Sequence, residues 1–302
     1  MTPASPQVTP PRGNLPEAGL ETVPGLARRH VTDRVMTALL GLMLAITIAV
    51  LVWVLIYVAG QGLKYLGPTF LTSTPPGNPS LAGGGFVNGI IGSLIMVGIA
   101  TCISVPIGIA AAVAIVEYGG RFAALTSFLT DVLIGIPTIV TGAFIYALWV
   151  IRFGFSGLAG SIALAVVMTP LVIRASAEML RLVPVTLQEA SAALGVTRAR
   201  TIVSVALPTA LPGITTGVML AVARAMGETA PLLLTTLGND LFIQTNPTKR
   251  MSALPLLIFN NAITGFRTAQ ARAWAGALTL IAIVLICTVA ARLIGRRATV
   301  MN

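Results

Sequence analysis

The chain has 302 residues, 56% of them hydrophobic and 9% charged, with a mean hydropathy of +0.92. That charge content lies far below the roughly 25% of a soluble domain, so the composition excludes an ordinary soluble protein and marks an integral membrane protein. The formal net charge of +10 comes largely from basic residues beside apolar runs, where they report topology and imply no nucleic-acid partner.

Residues 1–30 are rich in Pro, Gly and polar groups, show no apolar period and read as a disordered tail. Arg28, Arg29 and Arg34 then precede an uncharged run from Val35 to Ala59. It exceeds the roughly 20 residues that a helix needs to cross a bilayer and is too long for the core of a cleaved signal peptide. This predicts a retained first span. Residues 60–88, dense in Gly and Pro, cannot lie in lipid as irregular backbone and form an aqueous loop. A second span runs from Gly89 to Val116, with a kink expected at Pro106, and ends at "EYGGR", Glu117 to Arg121. A third, about Leu125 to Val150, contains Asp131 and Pro137; a fourth, about Phe153 to Ile173, ends at Arg174. The short link between them predicts antiparallel neighbours. A fifth span is expected from about Pro212 to Leu237, and a sixth from about Trp274 to Ile294.

Six spans place both termini on one side. Arginines at both ends, the three above and Arg292, Arg296 and Arg297, make that side cytoplasmic. Residues 178–208 then face the cytoplasm, while 60–88 and 238–272 face outward. Lys249, Arg250, Arg267 and Arg272 stand on the outer side against this bias.

Little of the usual chemistry is available. His30 is the only histidine, so there is no histidine-based zinc site or triad. Cys102 and Cys287 have no Cys or His neighbours at ligand spacing. The only lysines, Lys64 and Lys249, precede Tyr65 and Arg250, and so cannot form the Gly-Lys-Ser/Thr of a P-loop.

Between spans four and five, Thr186 and Glu189 have the spacing of a capping box, which predicts a helix starting there with Leu187, Ala190 and Leu194 on one side. Gly195 suits its left-handed stop, and Thr197 is placed to cap a next helix ending near Pro208. By itself this could be an ordinary loop helix. The segment resembles the signature loop of ABC-importer permeases, Glu-Ala-Ala, three residues, Gly, nine residues, Ile-x-Leu-Pro. Here it reads Glu189, Ala190, Ser191, then Gly195, then Val205, Ala206, Leu207, Pro208, with Ser191 and Val205 as departures. The resemblance implies a coupling helix that docks on a separate ATPase subunit.

Charges within or at the edges of spans are Asp131, Arg152, Arg174, Arg224 and Glu228. Each costs about 2.5 to 3.5 kcal/mol at a helix centre, so such groups face a bundle interior or a wet cavity. Arg152 and Arg174 can also snorkel to an interface. Arg224 and Glu228, four residues apart, are expected on one face deep in span five, either as a self-neutralising pair or as a guarded cation suited to oxyanions. "ARAMGETAPLL" resembles the Arg-Ala-x-Gly-Glu-Thr-Ala-Pro-Leu segment of the membrane subunits of phosphate-specific ABC importers, and its ending favours the PstA type over the PstC type. "GIPTIVTGAF", with Thr138 for the usual serine, and "EYGG" extend the likeness to about residues 83–295.

The resemblance implies an all-α membrane protein with the six-helix type I ABC-importer permease fold, in the bacterial plasma (inner) membrane. Its pathway residues would be Arg224, Glu228 and Thr229, with Arg174 and Asp131 as additions. The implied partners are a PstC-like subunit, two copies of an ATPase that binds ATP and Mg, and an extracytoplasmic phosphate-binding protein; no cofactor would be bound by this chain. The competing readings are a permease for sulfate or molybdate and a secondary anion transporter with Glu228 or Asp131 carrying protons. An intramembrane hydrolase lacks support, because Asp131 has no second aspartate to form a dyad.

Overall fold

The computed structural model describes the backbone of residues 26–300 and the side chains of residues 29–290. The tail through residue 25 and the side chains of Arg28, Arg292, Arg296 and Arg297 lie outside the described residues. The chain divides into two units, residues 1–56 and 57–302. The described part of the first is helical throughout. It belongs to α1, Leu26–Gly62, whose apolar side chains from Val35 to Ile56 are exposed on every side, as a lipid-facing span requires. The helix includes residues 26–30, assigned to the tail from sequence. Pro24 and Gly25 are the last breakers, and the Leu-Ala-Arg-Arg that follows favours helix.

The second unit begins with the end of α1, where Tyr57 meets Trp274 edge-on at 5.4 Å. It continues with α2 (Pro68–Thr72), α3 (Val87–Tyr118), α4 (Gly120–Gly135), α5 (Thr138–Phe153), α6 (Gly157–Arg181), α7 (Val185–Ala193), α8 (Arg198–Gly227), α9 (Ala230–Thr235), α10 (Leu254–Ala262) and α11 (Arg267–Val300). Its core is the contact of α6 with α3 and α8, filled by Met96, Leu164, Met168, Val172 and Ile214. Small residues bring these backbones close, as lipid-embedded helix pairs require. A side chain on Gly108 would meet Val172 at 2.6 Å, while Gly213 faces Met179 and Gly217 faces Ala175. Those last two pairs make α6 and α8 antiparallel.

The third predicted span is not one helix. It is α4 and α5, bent by 101° at Ile136 and Pro137. Both residues are extended, with ψ of 126° and 134°, because the proline ring pushes its predecessor out of the helical region and supplies no amide. Together the two have the length and composition of one broken span. It starts just past Tyr118, beside the segment that follows α6, and ends just before Gly157, where α6 begins.

The fifth span also differs. Pro208 does not end a helix: α8 runs unbroken from Arg198 to Gly227 through a π turn at Ile202–Ala206. A proline inside an α-helix costs about 3 kcal/mol by clashing with the carbonyl four residues back. Here that carbonyl belongs to Ser204, within the wider turn. The span then breaks at Glu228 and Thr229 instead of running to Leu237.

Much of the predicted outer loop is packed. Met251, Ala253, Leu254, Leu256 and Leu257 are buried, with α10 lying on α11 and α3. The N-cap residue of α10, Ala253, has no side-chain acceptor, and Ser93 Oγ of α3 accepts from the Leu254 amide instead (2.8 Å). Arg272, only 3% exposed, donates to the carbonyls of Leu81 (2.6 Å), Gly83 and Pro79, tying the first outer loop to α11.

Candidate functional site

The predicted coupling segment is a helix, a tight turn and the start of α8. The capping box is absent: α7 starts at Val185, with Pro184 in the cap position and Thr186 already inside the helix. Pro184 fixes its own φ at −59° and its carbonyl accepts from the Leu187 amide, which opens the helix without a hydroxyl cap. Thr197 does sit at the cap of α8, but its hydroxyl bonds to no amide there. The stop at Gly195 is as expected. Gly195 has φ of +76°, its amide bonds the Ala192 carbonyl (2.9 Å), and the Val196 amide bonds that of Ser191 (3.2 Å), a Schellman closure.

Leu187, Ala190 and Leu194 of α7 do share a side, and that side is bare, with Leu194 83% exposed and Leu182 and Val185 exposed beside it. Glu189 is exposed as well, Pro208 is exposed further along, and Leu207 is half-buried. The inward residues are polar. Ser191, the departure from the family alanine, is buried and lies 2.8 Å from the Thr201 hydroxyl, joining α7 to α8. The helix thus turns Gln188 and Ser191 inward and leaves Leu187, Ala190 and Leu194 exposed as an apolar patch.

Four of the five charges assigned to spans fall into two separate groups, and Arg152, exposed at the end of α5, belongs to neither. Arg174 Nη1 contacts Asp131 Oδ1 at 3.0 Å, across from α6 to α4, and its Nε contacts Glu178 Oε1 at 3.0 Å. Two carboxylates therefore flank this one guanidinium. Arg224 is paired only through Nε, to Glu228 Oε1 at 3.3 Å. It stands in the last turn of α8, and Glu228 is the first residue beyond it, with extended backbone, so the two do not share a regular helix face as predicted. The helix ends because Gly227 and the extended Glu228 break the ladder. Thr229 leads into α9 and makes no side-chain hydrogen bond among the described residues.

Exposure separates the pair. The Glu228 side chain is 14% exposed and that of Arg224 58%, so the acid is shielded while the Nη1 and Nη2 groups have no partner among the described residues. An exposed guanidinium at this depth is costly against lipid, so this face meets water or another subunit. Gly217 lies level with Ala175, which in this antiparallel pair puts Arg224 six residues, about 9 Å, from the Arg174 level along the bundle.

The comparisons with other proteins agree over most of the chain. The family described as binding-protein-dependent transport system inner membrane component matches residues 104–300. The phosphate transport system permease protein PstA of Yersinia pestis is 42% identical over 248 residues, 81% of this chain and 83% of that protein. The PstA protein of Haemophilus influenzae is 40% identical over 88% of this chain and 94% of its own. This chain belongs to the PstA family of permease proteins. It is accordingly a multi-pass protein of the bacterial inner membrane. Among solved structures, a subunit of a bacterial alginate ABC transporter matches with a TM-score of 0.63 over 91% of this chain and 98% of its own, at 15% identity. The MetNI methionine ABC transporter matches with a TM-score of 0.60 over 70% of this chain and 95% of the other, at 19% identity. These distant likenesses support the type I importer permease fold.

Several contacts in this PstA-family chain escaped the sequence reading. Glu178 was legible as a partner for Arg174 from its four-residue spacing. Gln188 meeting Glu117, Arg198 meeting Tyr118 and Arg272 meeting the 79–83 carbonyls were not, since each joins positions 70 or more residues apart in sequence.

Proposed function

We propose that this chain is the membrane-spanning permease subunit of an ATP-driven importer of inorganic phosphate, forming half of the translocation pathway. Arg224 is its transient oxyanion site, and residues 185–208 are its dock for a separate ATPase. The observation that carries the substrate assignment is the asymmetric Arg224–Glu228 pair. Glu228 occupies Nε and leaves the Nη fork open, which suits bidentate contact with a phosphate, while its own negative charge keeps that contact weak enough to release. Arg174 is held between two carboxylates and so serves as a clamp between α4 and α6, with Asp131 its partner in place of a proton carrier.

The exposed apolar side of α7 supports the docking role. In the assembled importer a PstC-like permease supplies the other half of the pathway, two ATPase copies hold ATP and Mg, and an extracytoplasmic protein delivers phosphate. With α4 and α5 counted as one crossing the spans number six, which together with the arginine-rich ends supports a cytoplasmic side for both termini and α7. The test is co-reconstitution of the chain with these partners and measurement of phosphate, sulfate and molybdate uptake with and without ATP. Phosphate uptake that requires ATP is expected. Preference for sulfate or molybdate would overturn the substrate, and uptake that survives without the ATPase but collapses with the proton gradient would overturn the mechanism.

A further inference from the structure

Chain connectivity ties the coupling segment to two spans only: α6 runs into it after Arg181, and α8 grows out of it at Arg198. A third span touches it through side chains alone. The end of α3 is a π turn, Ala114–Tyr118, closed by the Gly119 amide on the Ala114 carbonyl at 3.3 Å. Such a turn holds an extra residue and so re-aims the side chains at its end. Gly119 and Gly120, with φ of +65° and +76°, carry the chain away at once into α4.

The two side chains at the end of this turn each meet a different helix of the coupling segment. Glu117, 5% exposed, accepts a hydrogen bond at Oε1 from Gln188 Nε2 of α7 (3.2 Å). The Arg198 guanidinium, in the first turn of α8, lies over the Tyr118 ring with Cζ 5.5 Å from its centre. The Ser191–Thr201 hydrogen bond and the Gly195 closure join α7 to α8 between these two contacts. α7, α8 and the end of α3 thus form one braced unit. A buried carboxyl with a single side-chain partner holds that partner firmly, because losing it leaves Glu117 without compensation.

We infer that Glu117 and Tyr118 are positioning residues that receive the displacement of the coupling segment and pass it into α3. This rests on the docking role proposed above. α3 packs along α6 through Gly108 and Val172, so a shift at its end is delivered to the core of the bundle. Without the brace, the segment would reach α3 only indirectly, through its packing on α6 and α8.

The experiment uses the assembled transporter in proteoliposomes, with ATP hydrolysis and phosphate uptake followed together. A Glu117→Ala, Tyr118→Leu double variant, altered outside the docking segment, is expected to retain its ATPase subunits and hydrolyse ATP, while phosphate moved per ATP falls about tenfold, within the usual range of coupling between sites. Tyr118→Phe, which keeps the aromatic face, is expected to hold the normal ratio. A normal ratio in the double variant, or loss of the ATPase subunits from it, would overturn the inference. If the double variant fails to insert, the Tyr118→Leu single variant at its exposed position gives the same reading against Tyr118→Phe. Glu189→Lys separates the two claims. Failure to couple in that variant alone leaves docking intact and removes the brace, whereas normal coupling in Glu189→Lys removes docking itself.

Discussion

Arg224 and Arg174 differ in what is left over after pairing. Arg174 spends both sides of its guanidinium on Asp131 and Glu178, and Arg224 spends one on Glu228. The loss of one charge-assisted hydrogen bond costs about 1.5 to 3 kcal/mol, so Arg224→Ala is expected to lower phosphate uptake by roughly 10- to 100-fold. Arg224→Lys keeps the charge but not the planar fork and is expected to fall between the two, as measured by initial uptake rates in proteoliposomes. Equal uptake by wild type and Arg224→Ala would reduce the pair to a structural salt bridge. The Arg-x-x-x-Glu spacing was readable in the sequence, and so was the need for a reason to place charge there. Which partner is shielded was not, because it depends on how α8 ends.

Two helix breaks, at 136–137 and at 228–229, shape the interior, and the half-helices that follow them, α5 and α9, pack on one another. Their contact is set by Gly142, where an added side chain would stand 2.7 Å from the Pro231 Cα. Backbone cannot yield as a flexible side chain would. Gly142→Ala should therefore push α5 from α9 and cost about 1 to 3 kcal/mol or more, the range for overpacking. The check is thermal unfolding in detergent against Gly98→Ala, a position with open space around the added atom. An unchanged midpoint for Gly142→Ala would show that the two half-helices are free to part. Hydropathy placed these segments in the membrane but read through both breaks. Apolar composition is the same on either side of a bend, and the proline rule marks a boundary without saying whether a π turn will absorb it, as happens at Pro208 but not at Pro137.

At the scale of the whole molecule, the arrangement requires α7 and the 238–253 loop on opposite sides of the membrane. Single cysteines in place of Leu194 and Phe242, both exposed, test this in a background with Cys102 and Cys287 replaced. A membrane-impermeant thiol reagent applied to intact cells should label the Phe242 position and reach that of Leu194 only after lysis. Labelling of both from outside would invert the assignment of the coupling segment. The side predicted to face outward is more structured than its Gly- and Pro-rich sequence suggests, since Arg272 and Ser93 supply partners to backbone that would otherwise need water.

The sequence alone determined that the chain spans the membrane, where its apolar runs lie, and its likeness to phosphate permeases, the coupling-loop motif included. These follow from local chemistry: hydrophobic length, breaker residues and motif spacing act within a few residues of one another. Only the tertiary structure decided that α7 turns its leucines outward, that Ser191 is answered by Thr201, that Glu228 is covered while Arg224 is open, and that Glu117 and Tyr118 brace the coupling segment. Each of these depends on which surfaces other helices occupy, and that is fixed by close packing between segments far apart in the chain.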